Sequence, residues 1–219
     1  MKHGARGNCI SKVGGLMKKG ERRKLELLKI AYRLFLSKGF ENTSVDEIIE
    51  AAGIAKGTYY YHFESKEQML EEVIDMMLDA EEEKARTVLT SDMPVPQKLI
   101  SVIASFRPDE SEASIQDTLH RPENIVMHEK INRKMHDRII PILTELTEQG
   151  ISEGLFDCDR IPQRMRVIMI LGSAIFDEGD YTDDDVSVFI DTVEGLLKAG
   201  KGSMEFIRDL IPEKKSIKK

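Results

Sequence analysis

No apolar run in the 219 residues reaches the length a membrane-spanning helix needs. The cations near the N-terminus are not followed by an apolar stretch, so that end does not read as a secretory signal. Cysteine is nearly absent. Cys9 and Cys158 are the only two and lie far apart, which leaves no basis for a disulfide framework or a zinc site. No Gly-rich phosphate loop, zincin motif or nucleophile elbow occurs. No alternating strand pattern and no internal repeat stand out. These absences lead us to expect a cytoplasmic, membrane-free protein with no metal and no cofactor.

What is present suits a globular protein: apolar residues make up 41% and charged residues 32%, with a net charge of −7. The charge is unevenly placed. Residues 1–20 hold five cations and no acid, 21–64 hold seven of each, and 65–219 hold twenty cations against 32 acids. An acidic body is repelled by phosphate, so any contact with nucleic acid is expected near the N-terminal end. Residues 1–20 read as a disordered basic leader, with a phosphate-touching arm as the functional alternative. Met17-Lys-Lys-Gly offers a second place for the product to start.

Apolar spacing predicts a helix over 21–38 with Leu25, Leu28, Tyr32, Phe35 and Leu36 inward, stopped by Gly39. Ser44-x-x-Glu47 is a capping box, and Val45, Ile48, Ile49 and Ala52 follow it to a turn at Gly53. A short helix from Lys56 to Phe63 comes next. Ser65-x-x-Gln68 is a second capping box. It opens a helix through Met69, Leu70, Val73, Met76, Met77 and Ala80 to about Leu89, roughly 35 Å long. Pro96 begins a helix carrying Leu99, Ile100, Ile103 and Phe106. From Pro122 to Gly154 the pattern is helical, with Ile125, Ile131, Met135, Ile139, Leu143 and Leu146 inward. Pro141 is expected to kink or interrupt it, and Gly150 and Gly154 to end it. Residues 161–176 are apolar on nearly all sides, notably Val167 to Leu171. Asp183–Ala199 is amphipathic, its acidic run reading as a helix start, and a short helix over 203–211 precedes a Lys-rich tail.

The run Phe35-x-x-x-Gly39-Phe40-x-x-Thr43-Ser44-Val45-x-x-Ile48-x-x-x-Ala52-Gly53-Ile54-x-x-Gly57-Thr58-x-Tyr60-x-His62-Phe63-x-Ser65-Lys66 resembles the TetR family of bacterial transcriptional regulators. The resemblance covers about residues 21–81 and spans three helices and two turns. It implies an all-α protein: an N-terminal three-helix head with a helix-turn-helix, joined by a long helix to a larger C-terminal helical domain for ligand binding and dimerisation. The division expected is a leader over 1–20, the DNA-binding domain over 21–81 with its motif at 43–62, the effector and dimer domain over 82–212, and the tail over 213–219. The function implied is that of a dimeric repressor on a palindromic operator, released by a small-molecule effector of unknown identity. The rival classes are a helical enzyme and a protein-interaction scaffold with a silent head.

The matched residues give this chemistry. Gly57 lets the helix backbone approach DNA without a Cβ in the way. Thr58 is short enough for a phosphate or a thymine methyl. Lys56, Thr58 and Tyr60 are the expected base-side readers by resemblance. Thr43, Ser44, Tyr61, His62 and Lys66 are the expected phosphate contacts, Lys66 beside the free amides of a helix start. Tyr59 and Phe63 are expected in the core. Asp46 departs from the family pattern, which often has a cation there, and is read as a capping acid. Met76, Met77, Phe106, Met127, Met135, Met165 and Met169 are candidate effector-pocket residues. Met165, Ile168, Gly172, Ile175, Phe189, Val193, Leu196 and Leu197 are candidate dimer-interface residues, with Gly172, Ser173, Ala174 and Gly195 permitting close approach. His120, His128 and His136 recur every eight residues, a drift of roughly 80° per step around a helix, so they do not share one face and are not read as a metal site.

Overall fold

A computed structural model describes residues 18–106, 115, 118–121, 124–176 and 180–211. The leader through residue 17, most of the 107–118 connection and the tail from 212 lie outside the described residues. Among those described the chain is all helical, with no strand. Two compact units form. The first runs to Ala80 and takes in the described residues from 115 to Ile131. The second holds those from Glu81 to 106 and from Asn132 onward.

The first unit begins with α1 (Lys19–Lys38), α2 (Val45–Ala52) and α3 (Lys56–His62). Leu27, Leu28, Ala31 and Phe35 form the buried stripe of α1. Leu25, Tyr32 and Leu36, expected inward, are only half-buried. Gly39 ends the helix at φ +82°, and its amide donates to the Phe35 carbonyl at 2.9 Å. Few residues tolerate that φ, so glycine is required. Phe40 then folds its ring edge-on to Phe35. Ile48 of α2, Tyr59 of α3 and Phe63 complete this core, each at most 1% exposed. Burying such a side chain stabilises by roughly 1.5–3 kcal/mol, which is how a seven-residue helix of mediocre propensity is held.

Helix α4 (Lys66–Leu89) is a single element shared by both units. Met69, Leu70, Val73 and Ile74 are buried, whereas Met76, Met77 and Ala80 are half-buried rather than inward. Its start is half of the expected capping box. The Ser65 hydroxyl accepts the Gln68 amide at 3.0 Å, but the Gln68 side chain accepts from the Glu64 amide instead of Ser65.

In the second unit, α5 (Val95–Ser105) buries Val95, Leu99, Val102 and Lys98. Ile100 and Ile103 are half-buried. The Lys98 ammonium donates to the Leu89 carbonyl at 3.0 Å and to Gln149 Oε1 at 3.1 Å. It thus satisfies the end of α4, where a cation also complements the helix dipole. Helix α6 (Ile125–Ser152), also shared by the units, runs unbroken through Pro141 and past Gly150. Ile125, expected inward, is exposed. Gly150 does not end the helix. It receives the Phe156 ring, and the chain turns at Gly154, φ +76°. Helices α7 (Ile161–Phe176) and α8 (Asp183–Leu197) pack together, joined by edge-on contacts of Phe176 with Phe189 and Tyr181. Thr182 and Asp185 make a reciprocal cap, so the acidic run does start α8. A 3-10 helix (Glu205–Leu210) packs on α5 and α8.

Candidate nucleic-acid interface

Three local devices fix the turn between α2 and α3. The Ser44 hydroxyl accepts the Glu47 amide at 3.2 Å, and the Glu47 carboxylate accepts the Ser44 amide at 2.8 Å. Gly53 takes the left-handed conformation, φ +59°, and closes α2 by donating to Glu50 and Ile49. Arg23 of α1 adds a guanidinium donor to the Ala52 carbonyl at 3.3 Å. The Lys38 ammonium, foremost, and the Ser44 groups hold the half-exposed Glu47 carboxyl down to about 2 from an ordinary 4.5. A depressed carboxyl favours the fold most above its unfolded value, and the benefit fades as pH falls from about 4.5 towards 2. A carbon-detected NMR titration is expected to show Glu47 ionised down to about pH 2. A midpoint near 4 would mean that neither bond is held in solution.

The outer surface of α3 is open. Tyr61 is 82% and Tyr60 51% exposed. Lys56 and Gly57 are exposed, and a Cβ added at Gly57 would meet nothing within 4 Å. Thr58 is half-buried, its amide spent on the Ala55 carbonyl. Tyr59 faces inward, where burial pushes its phenol up to about 12 and its hydroxyl donates to the Ser65 carbonyl. The half-buried His62 sets its ring edge-on to Tyr61 at 4.9 Å. Lys56, Gly57, Tyr60 and Tyr61 thus share one short helix and a solvent-facing side, with Thr58 and His62 at its margin.

Two expected contacts are placed differently. Thr43 is 0% exposed, and its hydroxyl donates to the Gly39 carbonyl at 2.8 Å. Its side chain is a strut in the α1–α2 corner, not a phosphate anchor. Ser44 is exposed, but its hydroxyl is engaged with Glu47. Lys66 lies in the first turn of α4, with its ammonium 2.9 Å from the Phe40 carbonyl and 4.2 Å from the Phe40 ring centroid. An ammonium has three donors, so one is used to order the side chain. Asp46 does more than lend charge to a helix start. Its Oδ1 accepts from the Lys56 ammonium at 3.1 Å, across the turn, and holds that lysine above its usual range. Sequence reading missed this pair because a separation of ten residues across a turn has no periodic signature.

The remaining expected sites divide between the units. Met76, Met77 and Met127 belong to the first, and Phe106, Met135, Met165 and Met169 to the second. Phe106 and Met165 are buried, the Met165 sulfur meeting the Thr147 hydroxyl at 3.7 Å, while the other five are half-buried. Of the expected dimer residues, Met165, Phe189, Val193 and Leu197 are core of their own chain. Ile168, Gly172, Ile175 and Leu196 are half-buried. On these two helices the large apolar residues left exposed are Val167 and Ile170 of α7 and Val188 of α8. His120 and His128 bring their rings to 4.8 Å in the first unit, while His136 meets Ser173 in the second. Among the described residues no group of three metal-ligating side chains forms, and no helix is long and apolar enough to cross a membrane.

The family model described as "Bacterial regulatory proteins, tetR family" matches residues 27–73, the stretch from α1 into α4. The HTH-type transcriptional repressor KstR2 of Mycobacterium tuberculosis is 31% identical over 148 residues, covering 63% of this chain and 70% of that protein. KstR2 of Rhodococcus jostii is 28% identical over 141 residues, with 63% and 69% covered. Among solved structures, RolR in complex with resorcinol superposes with a TM-score of 0.60 at 18% identity, covering 90% of this chain and 98% of RolR. The fatty acid degradation regulator FadR of Bacillus halodurans gives 0.57 at 23% identity, with 85% and 98% covered. At those identities the two structures establish the shared fold.

Proposed function

Because this chain belongs to the tetR family of bacterial regulatory proteins, and so is a DNA-binding transcriptional regulator, we propose that it is a cytoplasmic homodimeric repressor of a palindromic operator. The open outer side of α3, from Lys56 to Tyr61, carries this reading. It is the second helix of the helix-turn-helix, the one that enters the major groove, where its N-terminal residues meet base edges. Repression follows the names of the KstR2 relatives. Lys56, Gly57, Thr58 and Tyr60 face the bases, and Tyr61, His62 and Lys66 take phosphates.

The two-fold interface is assigned to the stripe Gln163, Val167, Ile170 and Ala174 of α7 with Val188, Thr192 and Gly195 of α8. These recur every three or four residues, leave three large apolar side chains in water, and end at a glycine with open space around it. Two such helix pairs would make a four-helix interface. The effector is assigned to the second unit, where the half-buried Met135 and Met169 are adaptable lining. Among the described residues the chain passes between the units at 80/81 and 131/132, each time within a continuous helix. A ligand preferring one arrangement of the second unit would shift the heads' affinity for the operator by its differential binding.

Selection of bound sequences from a random DNA pool tests the reading: the full chain should enrich a palindrome. On that operator, Lys66→Ala is expected to weaken binding to all sequences alike and to lower the salt slope by about one phosphate. An unchanged slope would remove Lys66 from the contacts.

A further inference from the structure

Asp46 sits in the first turn of α2, exposed, with its carboxylate at the N-terminal end of α3 through the 3.1 Å bond to Lys56. A carboxylate on a face that meets a polyanion is a liability, and stability does not account for it. Both side chains are well exposed, and exposed pairs contribute little, about 0–1 kcal/mol. The helix start it occupies is already capped by Ser44 and Glu47. Its placement makes sense as recognition.

We propose that Asp46 and Lys56 form one reading unit for a G·C base pair in each half-site, Lys56 donating to guanine O6 or N7 and Asp46 accepting from cytosine N4. The major-groove edge of a G·C pair sets the guanine acceptors beside the cytosine amino donor. The N4–O6 separation within the pair is a hydrogen-bond length, about 3 Å. An ammonium and a carboxylate held at 3.1 Å offer a donor beside an acceptor at the matching spacing. No cation at position 46 could do this, and Lys56 alone would not distinguish a guanine from a nearby phosphate. Pairing within the free protein also keeps both groups in place before DNA arrives. With adenine in the place of guanine the donor and acceptor change sides and the pattern is reversed for this unit; with thymine there the central order survives, but the thymine methyl replaces guanine N7 and Lys56 loses that acceptor.

The inference rests on the DNA-binding reading, and one experiment separates the two. The full-length wild type, Asp46→Ala and Asp46→Asn are each used to select from the same random double-stranded DNA pool, with melting curves confirming that all three fold. The wild type is expected to enrich one invariant G·C pair per half-site. Asp46→Ala should reduce discrimination at that pair by about tenfold or more while other positions keep their preference. Asp46→Asn, whose amide suits adenine N6 and N7, should shift the same position towards A·T. A selected sequence unchanged in both variants, with affinity raised uniformly by the lost negative charge, would overturn the assignment and leave Asp46 a surface ion-pair partner. A wild type that enriches no sequence would overturn the DNA-binding reading and this inference together.

Discussion

Ile170→Glu is expected to convert the protein from dimer to monomer in sedimentation while the chain stays folded, losing only the part of its melting temperature that depends on protein concentration, and to cut operator affinity by about 10²-fold or more. Ile170 is 53% exposed on α7, so a carboxylate there stays hydrated in the isolated chain. In a two-fold interface each substitution appears twice, and the two acids would be buried near one another. Unpaired buried charge costs several kcal/mol, more than an apolar stripe of this size returns. The loss of DNA binding follows from linkage of two heads: joining two half-site contacts raises affinity by about 10²–10⁴. Leu197→Ala serves as the contrast. Leu197 is buried within its own chain, so that change should cost about 2–5 kcal/mol of stability. A dimer that survives Ile170→Glu and Val188→Glu together would move the interface off α7 and α8.

The part of this molecule legible in its sequence is the part built from local signals. Ser44, Glu47 and Gly53 act within four residues of the bonds they make, so the cap and turn of the head could be read directly. Thr43 could not, although the Gly39 carbonyl that takes its hydroxyl is also four residues away: no motif marks that bond, and only the folded corner shows the side chain buried. Pro141 was misleading for a different reason. A proline inside a helix costs about 3 kcal/mol, which favours a break when taken alone. The flanking Ile139, Ile140, Ile142 and Leu143 are all buried and together return more than that at roughly 1.5–3 kcal/mol each, so α6 continues. Helix α7 shows the limit of reading burial from composition. A run apolar all round implies cover on every side, and within one chain Val167 and Ile170 do not have it. The candidate recognition surface was legible residue by residue, but the Asp46–Lys56 pair arises only once the turn brings α2 and α3 together.

At Gly150 helix propensity and packing give opposite signs. Glycine inside a helix is about 0.8–1 kcal/mol worse than alanine, so Gly150→Ala on propensity alone would stabilise α6. The structure predicts the opposite sign. A Cβ at 150 would lie 2.4 Å from two carbons of the Phe156 ring and 3.4 Å from Val95. Phe156 is buried and held by the chain around it: Leu155 donates to the Gly150 carbonyl at 2.8 Å and Asp157 to the Leu197 carbonyl at 3.1 Å. The ring has to move by about 1 Å to restore ordinary contact, against a core packed to near-crystalline density. Overpacking of this kind costs typically 1–3 kcal/mol, enough to cancel the propensity gain. Gly150→Val adds two further carbons and a β-branch and should destabilise by about 3 kcal/mol or more in urea melts. Phe156→Leu, which vacates the space, should make Gly150→Ala less costly than it is beside phenylalanine, giving a favourable coupling in the double-mutant cycle. If Gly150→Ala instead raised stability by about 1 kcal/mol and showed no coupling to position 156, the ring would not be seated on the glycine.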